Sequence, residues 1–561
     1  MADFTVGDYL AERLAQLGIW HHFVVPGDYN LILLDKLMLH PQLSQIGCTN
    51  ELNCAFAAEG YARANGLSAC VVTYSVGAFS AFNGVGGAYA ENLPLILVSG
   101  SPNTNDVAQH HIVHHTLGTA DFTYQIQMAE KITCCAVAVK RAQDAPTIID
   151  RALRAAVLFR KPVYIEVPTN LAGAACVRPG PISAVSDPKP SDARSLTAAI
   201  QMAGEFLNQH QKPVILVGSK FREVATQEAL LQLAKAIGCA VVVQPGAKGC
   251  FSEAHKQFAG IFWGQISTLA ADSIINWADV IVCAGTVFSD YTTVGWTTDL
   301  TTPRLTIDTD CIKIPGATFT RVNPVEFFSG LAQTIHQNAT TLLEYQRFKP
   351  DPPLTHRSLA QTPLTRKEIS RQVQALLTAT TTVFVDTGDS WFNGIQMQLP
   401  EGAKFEIEMQ WGHIGWSIPA AFGYSVAEPD RQVVVMVGDG AFQVTVQELS
   451  QMIRHNKPII ILLMNNQGYT IEVEIHDGPY NRIQDWNYAE LIHQFNSRDG
   501  QGKGLCVRTD HELAKAIDQA KARREGPTLI ECVINQDDCS KELVTWGHYV
   551  SAANSRPPLH A

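Results

Sequence analysis

No stretch of this 561-residue chain holds the roughly eighteen uninterrupted apolar residues that a bilayer-spanning helix needs, so no membrane role is expected. Runs of Lys and Arg are also missing, and the net charge is −11. That removes the electrostatic footprint by which proteins hold nucleic acid. The thirteen cysteines are an odd number with no CxxC spacing, which excludes a disulfide framework and a zinc ribbon. Most sit in apolar runs, as Cys70, Cys239, Cys283 and Cys532 do, and read as reduced core thiols. Met1-Ala-Asp-Phe-Thr has neither a basic segment nor an apolar one after it, so no secretory leader is expected. What is abundant is apolar residue, 46% against 17% charged. These figures describe a core-rich globular protein, expected in the cytoplasm, and too long for one core.

Prolines divide it. Pro179, Pro181, Pro188 and Pro190 form one extended linker; Pro350, Pro352, Pro353 and Pro363 form another. The expected domains are 1–188, 189–350 and 351–561. The outer two look alike. Pro94 leads into Leu95-Ile-Leu-Val98, and Pro162 into Val-Tyr-Ile-Glu166. Pro458 leads into Ile459-Ile-Ile-Leu462, and Pro527 into Thr-Leu-Ile-Glu531. The two spacings are 68 and 69 residues, which suggests one doubly wound α/β fold used twice. The middle segment has similar strands at Pro213–Val217 and Val280–Cys283. The predicted fold class is therefore α/β, with three doubly wound parallel-sheet domains, the first and third related by internal duplication. Gly84-Val-Gly86-Gly87-Ala-Tyr89 fails as a dinucleotide fingerprint, because Tyr89 stands where the third glycine belongs.

Chemistry is most legible between Asp439 and Asn466. Val433–Val437 is an apolar run ending in Gly438-Asp439-Gly440; a helical pattern follows from about Thr445 to His455. Ile459–Met464 is a second run, ending in Asn465-Asn466-Gln467-Gly468. Strand, helix, strand is a parallel crossover, which sets both polar clusters at the carboxyl edge of neighbouring strands, where open α/β sheets bind ligands. An Asp carboxylate, an Asn amide oxygen and a backbone carbonyl are hard donors suited to Mg²⁺.

This GDG…NN pattern, together with Val24–Asn30, Asn50-Glu51-Leu-Asn53, Ala90–Pro94, His114-His115, Asp290-Tyr291, Thr387–Trp391, Gln410–Trp416 and Tyr469–Glu472, resembles the thiamine diphosphate-dependent 2-oxoacid decarboxylases along nearly the whole chain. The likeness is strongest to bacterial members acting on pyruvate. It implies two cofactors, thiamine diphosphate and Mg²⁺, with the metal on Asp439, Asn466 and Gly468. It implies cofactor contacts at Glu51, Thr387, Asp389, Gly412, Ile414, Asp439, Gly440, Ala441, Asn466, Gly468 and Ile471. Glu51, Asp28, His114, His115 and Glu472 take the catalytic roles. Alone, Glu51 at a strand-to-helix junction reads first as a helix cap or dipole partner. In the family it bonds a pyrimidine nitrogen of the cofactor, and Ile414 is the bulky side chain beneath the bent cofactor. His110 and His111 fall outside the motif and read as surface residues.

The implied reaction is non-oxidative loss of CO₂ from pyruvate, giving acetaldehyde. Tyr291, Trp391, Ile471 and Ile475 match positions lining the substrate end and leave room for a methyl group rather than an aromatic ring. The resemblance also implies a homo-oligomer, at least a dimer and by analogy a tetramer, in which each cofactor is shared between the first domain of one subunit and the third of another. Two departures stand out. Ala441 follows the GDG where relatives often carry Ser, so a hydroxyl for the diphosphate is absent. Val217-Gly-Ser-Lys220 lacks the regulatory cysteine of related fungal enzymes, so hyperbolic kinetics are expected.

Overall fold

The computed structural model describes residues 4–350 and 360–557. The proposed linker residues Pro352 and Pro353 lie outside them. Three sheets carry the fold. The first comprises β1 (His21–Val24), β2 (Ser44–Gly47), β3 (Ser68–Val72), β4 (Leu95–Ser101), β5 (Cys135–Ala138) and β6 (Val163–Pro168). Its order is β2-β1-β3-β4-β6-β5, with every pairing parallel. The second holds β7 (Pro213–Val217), β8 (Ala240–Val243), β9 (Phe258–Ile261), β10 (Val280–Ala284), β11 (Arg304–Ile307), β12 (Cys311–Ile314) and β13 (Ala317–Thr320), ordered β13-β12-β11-β10-β7-β8-β9. Only β12 runs against the others, pairing antiparallel with β11 and with β13, and the β12–β13 edge hairpin is turned by Pro315-Gly316, where Gly316 takes φ +86°. The third holds β14 (Thr381–Val385), β15 (Lys404–Ile407), β16 (Gln432–Gly438), β17 (Ile460–Asn465), β18 (Lys503–Val507) and β19 (Thr528–Val533), ordered β15-β14-β16-β17-β19-β18 and wholly parallel.

The first and third orders are the same permutation, so the expected duplication holds. Pro94 and Pro458 precede the equivalent strands β4 and β17; Pro162 and Pro527 precede β6 and β19. Continuous apolar runs explain the parallel pairing: every residue of β4, and every residue of β17, is buried. The exposed hairpin strand β12 instead alternates, Ile312 and Ile314 inward.

The chain forms two compact units. One is Met1–Pro188, Ile418–Pro429 and Thr445–Lys457; the other is Lys189–Ser417, Asp430–Val444 and Pro458–Ala561. The first unit thus includes most of helix Ser417–Ala427 and all of helix Leu449–Arg454, which pack with the first sheet's helices. Its tightest contact is between helices Glu51–Asn65 and Ser417–Ala427. A Cβ on Gly60 would lie 1.9 Å from the Ala420 carbonyl oxygen; one on Gly423 would lie 1.8 Å from that of Ala57. The contact is reciprocal, and the sequences match: Ala57-Ala-Glu-Gly60-Tyr61 against Ala420-Ala-Phe-Gly423-Tyr424. These helices occupy the same place in the two duplicated folds, between β2 and β3 and between β15 and β16. Beside them Glu448, fully buried, accepts from Thr49 Oγ1 at 2.7 Å and Asn53 Nδ2 at 3.0 Å. The second unit contains the other two sheets; within it Trp263 stacks on Phe392 with centroids 4.9 Å apart.

The helix expected from Thr445 begins earlier, at Asp439, breaks into a single 3₁₀ turn at Val446–Glu448 and resumes at Leu449. Gly438 closes β16, and the helix starts at once with Asp439, whose side chain accepts the Gly440 N–H at 2.7 Å and anchors the first turn.

Two consequences can be measured. Gly423→Ala forces two backbones apart and is expected to cost at least about 3 kcal/mol, read as a lowered urea midpoint. His22 is buried in β1 opposite Gln45, and burial pushes its imidazole down to about 4, with Gln45 opposing. Unfolded, the ring binds its proton near pH 6.5, the folded ring only near 4. Stability is therefore full above pH 6.5 and falls between 6.5 and 4, by up to roughly 3 kcal/mol. His22→Leu should flatten that limb of a stability-versus-pH curve; an unaltered slope would contradict the assignment.

Candidate active site

In the second unit a cavity of about 260 Å³ opens at the carboxyl ends of β14, β16 and β17. Thr387, Asp389, Ile414, Ala441, Asn466, Ile471 and Glu472 line it, all named from sequence. Asp439, the first residue after β16, is fully buried just beneath. Its carboxylate accepts the N–H of Gly440 at 2.7 Å and of Gln467 at 2.5 Å, joining the two crossovers. Burial raises Asp439 to about 6 against the pull of backbone N–H groups from Gly440, Gln467, Asn466 and Gly468. It makes no ion pair among the described residues. A buried carboxylate held only by neutral donors is stabilised by an added cation. Asn466 donates its amide nitrogen to Thr470 Oγ1, leaving its oxygen as the free ligand. Gln467 takes φ +65°, and a Cβ on Gly468 would strike the Asn481 carbonyl at 2.5 Å, so this turn accepts only glycine there. Gly440 is similarly required, by the Tyr469 ring 2.4 Å from its notional Cβ. Carboxylate, amide oxygen and backbone carbonyl thus form a donor set that fits Mg²⁺.

The substrate-end residues sit differently. Ile471 lines the cavity; Ile475 is half-buried farther along helix Thr470–Ile475. Tyr291 and Trp391 pack edge to face, 5.8 Å apart, over Gly412, whose notional Cβ lies 3.1 Å from Tyr291 and 3.5 Å from Trp391. The Tyr291 carbonyl takes two indole N–H groups, from Trp263 at 2.8 Å and Trp546 at 3.3 Å.

Sequence reasoning passed over Asp386. Wholly buried, it accepts from Thr387 N, Gly415 N and Ser417 N, each at 2.9 Å, and from Ser417 Oγ at 2.5 Å. It therefore fixes the loop carrying Ile414 to the end of β14. Arg366 and Asp538 also line the cavity, and Asp389 accepts from Ser540 Oγ and from Asn393 Nδ2 at 3.1 Å. Only a hydrophilic residue directly after an apolar strand, Val385-Asp386, marks any of these in sequence.

The first unit holds the other named residues. Asp28 Oδ2 and His114 Nε2 are 2.5 Å apart, and His115 Nε2 lies 3.8 Å from Asp28 Oδ1. Tyr29 stacks on His114 with centroids 4.8 Å apart and donates to its carbonyl at 3.1 Å. His110 and His111 are exposed, His111 pairing with Asp106 at 2.9 Å, and neither joins the cluster. Glu51 is the first residue of helix Glu51–Asn65, but Asn50, not Glu51, caps it. Burial raises the Glu51 carboxyl above its ordinary range.

Models of the thiamine pyrophosphate enzymes match three parts of the chain: the N-terminal TPP-binding domain at 4–122, the central domain at 200–326 and the C-terminal TPP-binding domain at 381–532. A Neurospora crassa protein named pyruvate decarboxylase is 66% identical over 99% of this chain and 97% of its own. A Schizosaccharomyces pombe protein named a probable pyruvate decarboxylase is 57% identical over 99% and 97%. Pyruvate decarboxylase 3 of Arabidopsis thaliana is 42% identical over 99% and 94%. These are fungal and plant relatives, not the bacterial ones the motifs brought forward. The chain belongs to the thiamine pyrophosphate enzymes, in their pyruvate decarboxylase family.

Proposed function

We propose that this chain converts pyruvate to acetaldehyde and CO₂ without oxidation, using thiamine diphosphate and Mg²⁺, as a cytoplasmic homo-oligomer. The observation that carries it is the meeting of the two turns, Gly438-Asp439-Gly440 and Asn465–Gly468, at one cavity through the Asp439 carboxylate. Asp439, Asn466 and the Gly468 carbonyl would hold the metal. Thr387, Asp389, Gly440 and Ala441 would hold the diphosphate end, Ala441 through its backbone alone, and Gly412 would meet the cofactor beside Tyr291 and Trp391. Ile414 and Ile471 would pack against the cofactor rings.

When bound, thiamine diphosphate supplies a carbanion that adds to the keto carbon and an electron sink for the pair released with CO₂. The chain's own residues handle protons and place the substrate. Burial favours the protonated Glu51 carboxyl, which suits a group that must share a proton with a ring nitrogen. Asp28 holds His114 by a short charge-assisted bond and has His115 in reach, so a proton can pass between the rings and the reacting carbon. Glu472, at the cavity, faces the end where a 2-oxoacid carboxylate would sit. The bulk of Tyr291, Trp391 and Ile471 favours a methyl over an aryl substituent.

Chelator-stripped protein should release CO₂ and acetaldehyde from pyruvate only when both thiamine diphosphate and Mg²⁺ are restored. Turnover of phenylpyruvate but not pyruvate would refute the substrate reading; no turnover and no cofactor binding would refute the whole. The oligomeric reading, in which Glu51 of one copy and Asp439 of another serve one cofactor, has its own check. Glu51→Gln and Asp439→Asn chains, each inactive, should regain about one quarter of full activity when unfolded together and refolded, since half of the mixed dimers' sites are intact. No recovery would mean that both residues come from one chain.

A further inference from the structure

A buried string of hydrogen bonds crosses the first unit from β6 to the turn after β3, and none of the steps above uses it. It starts at Glu166. Tyr164 Oη donates to Glu166 Oε2 at 2.8 Å and accepts from Gln125 Nε2 at 2.5 Å. The same nitrogen reaches Ser99 Oγ at 3.1 Å. At its other end Gln125 Oε1 accepts the Ser75 N–H at 2.6 Å. Ser75 Oγ lies 2.7 Å from Tyr124 Oη. Gln125 and Tyr164 have no exposed surface.

Ser75 is the strained point. It takes φ 48° and ψ −76°, a conformation that costs a non-glycine residue about 1–3 kcal/mol and survives only where its surroundings impose it. The turn it belongs to is wedged between two carboxylates assigned to the reaction. On one side a Cβ at Gly77 would come 2.9 Å from Glu51 Oε1. On the other a Cβ at Gly27, next to Asp28, would come 2.5 Å from Thr73 Cβ. Gln125 is the side chain that accepts the strained N–H.

Resting on the decarboxylase reading, we propose that Gln125 is a positioning residue for the reaction, and that the charge of Glu166, passed through Tyr164, decides whether Gln125 holds the Thr73–Gly77 turn in place between Glu51 and Asp28.

Hydrogen-bond polarity gives the direction. An ionised Glu166 only accepts, so the Tyr164 proton must point to it and the Tyr164 oxygen receives Gln125 Nε2. The amide is then locked with its oxygen on Ser75. A protonated Glu166 can donate to Tyr164; the Tyr164 proton turns back toward Gln125 and Ser99, and the lock is lost. Burial raises Glu166 to about 7, opposed by hydrogen bonds from Tyr164 and Ser101 and by the charge of Lys140. Tyr74, raised first by its own burial and then by the Glu166 charge, completes the titratable groups facing it. The switch therefore falls in the working range, with the ionised form competent.

The test is kcat and KM for pyruvate between about pH 6 and pH 8, with thiamine diphosphate and Mg²⁺ saturating, in wild type, Glu166→Gln, Gln125→Met and Tyr164→Phe. Glu166→Gln keeps an acceptor at every pH, so its kcat relative to wild type should rise about threefold from pH 8 to pH 6. Gln125→Met and Tyr164→Phe should lower kcat about tenfold with KM within about twofold. Superimposable pH profiles for wild type and Glu166→Gln would overturn the proposal. So would variants whose only defect is a lower Tm at wild-type kcat per site. If Glu166→Gln does not fold, the decision passes to Tyr164→Phe, which removes one oxygen and should abolish the same acid-side fall. An inactive wild type overturns the decarboxylase reading and this proposal together; an active wild type with unaltered variants overturns this proposal alone.

Discussion

A parallel sheet ends all its strands at one edge, and in a doubly wound sheet the crossovers leave the middle in opposite directions, opening a crevice where they part. In the third sheet β15 lies outside β14, and β17 lies beyond β16, so the crevice stands between β14 and β16. Their following residues are Asp386 to Asp389 and Asp439 to Ala441. The first sheet repeats the arrangement with β1 and β3, followed by Pro26-Gly27-Asp28 and Thr73-Tyr74-Ser75. One topological constraint thus places nearly every group named above, from residues that the chain separates widely.

The polar groups at those edges are expensive because the strands beneath are wholly apolar. Each buried carboxylate needs donors, and the donors differ in kind. Asp386 has four, from backbone and hydroxyl, and has no capacity left; it acts as a fastener for the Ile414 loop. Asp439 makes two short backbone bonds and meets no cationic side chain among the described residues, which leaves lone pairs for an added cation. Glu448, nearly four hundred residues from its partners Thr49 and Asn53, again meets hydroxyl and amide donors rather than a Lys or Arg. Neutral donors satisfy hydrogen bonding without cancelling charge, so burial still raises all three.

What could be seen in the sequence was whatever lies beside a strand end. Asp439 and Asn466 follow long apolar runs directly, and paired prolines expose the repeated strands. Helix-to-helix glycine contact was equally visible, in the shared Ala-Ala-x-Gly-Tyr of 57–61 and 420–424, but periodicity draws the eye to hydrophobic residues and not to the small ones that let backbones touch. The early start of the helix at Asp439 was hidden because glycine lowers helix propensity and a side-chain anchor restores it. Asp386 with Ser417, and Gln125 with Ser75, could not be read at all. Their partners are distant, and a φ of 48° at a serine follows from packing rather than from local preference.

The duplicated folds have spent the same crevice differently. In the third sheet glycines at 438 and 440 and the tight turn at Gly468 keep the chain close to the sheet edge, and a cavity remains. In the first sheet the chain fills its own crevice: the Thr73–Gly77 turn lies against Gly27 and Glu51 and is held by Gln125. The available chemistry stands beside the filled crevice, at Asp28 after β1 and at Glu51 after β2. The helix that begins at Glu51 is the one whose Ala57 and Gly60 grip Ala420 and Gly423 reciprocally. That contact admits no side chain, so it fixes the helix and, with it, the placement of Glu51 at its first turn. A carboxyl meant to share a proton with a ring nitrogen needs placement more than it needs charge, and an inter-helix contact with no room for a methyl group is how this fold supplies it.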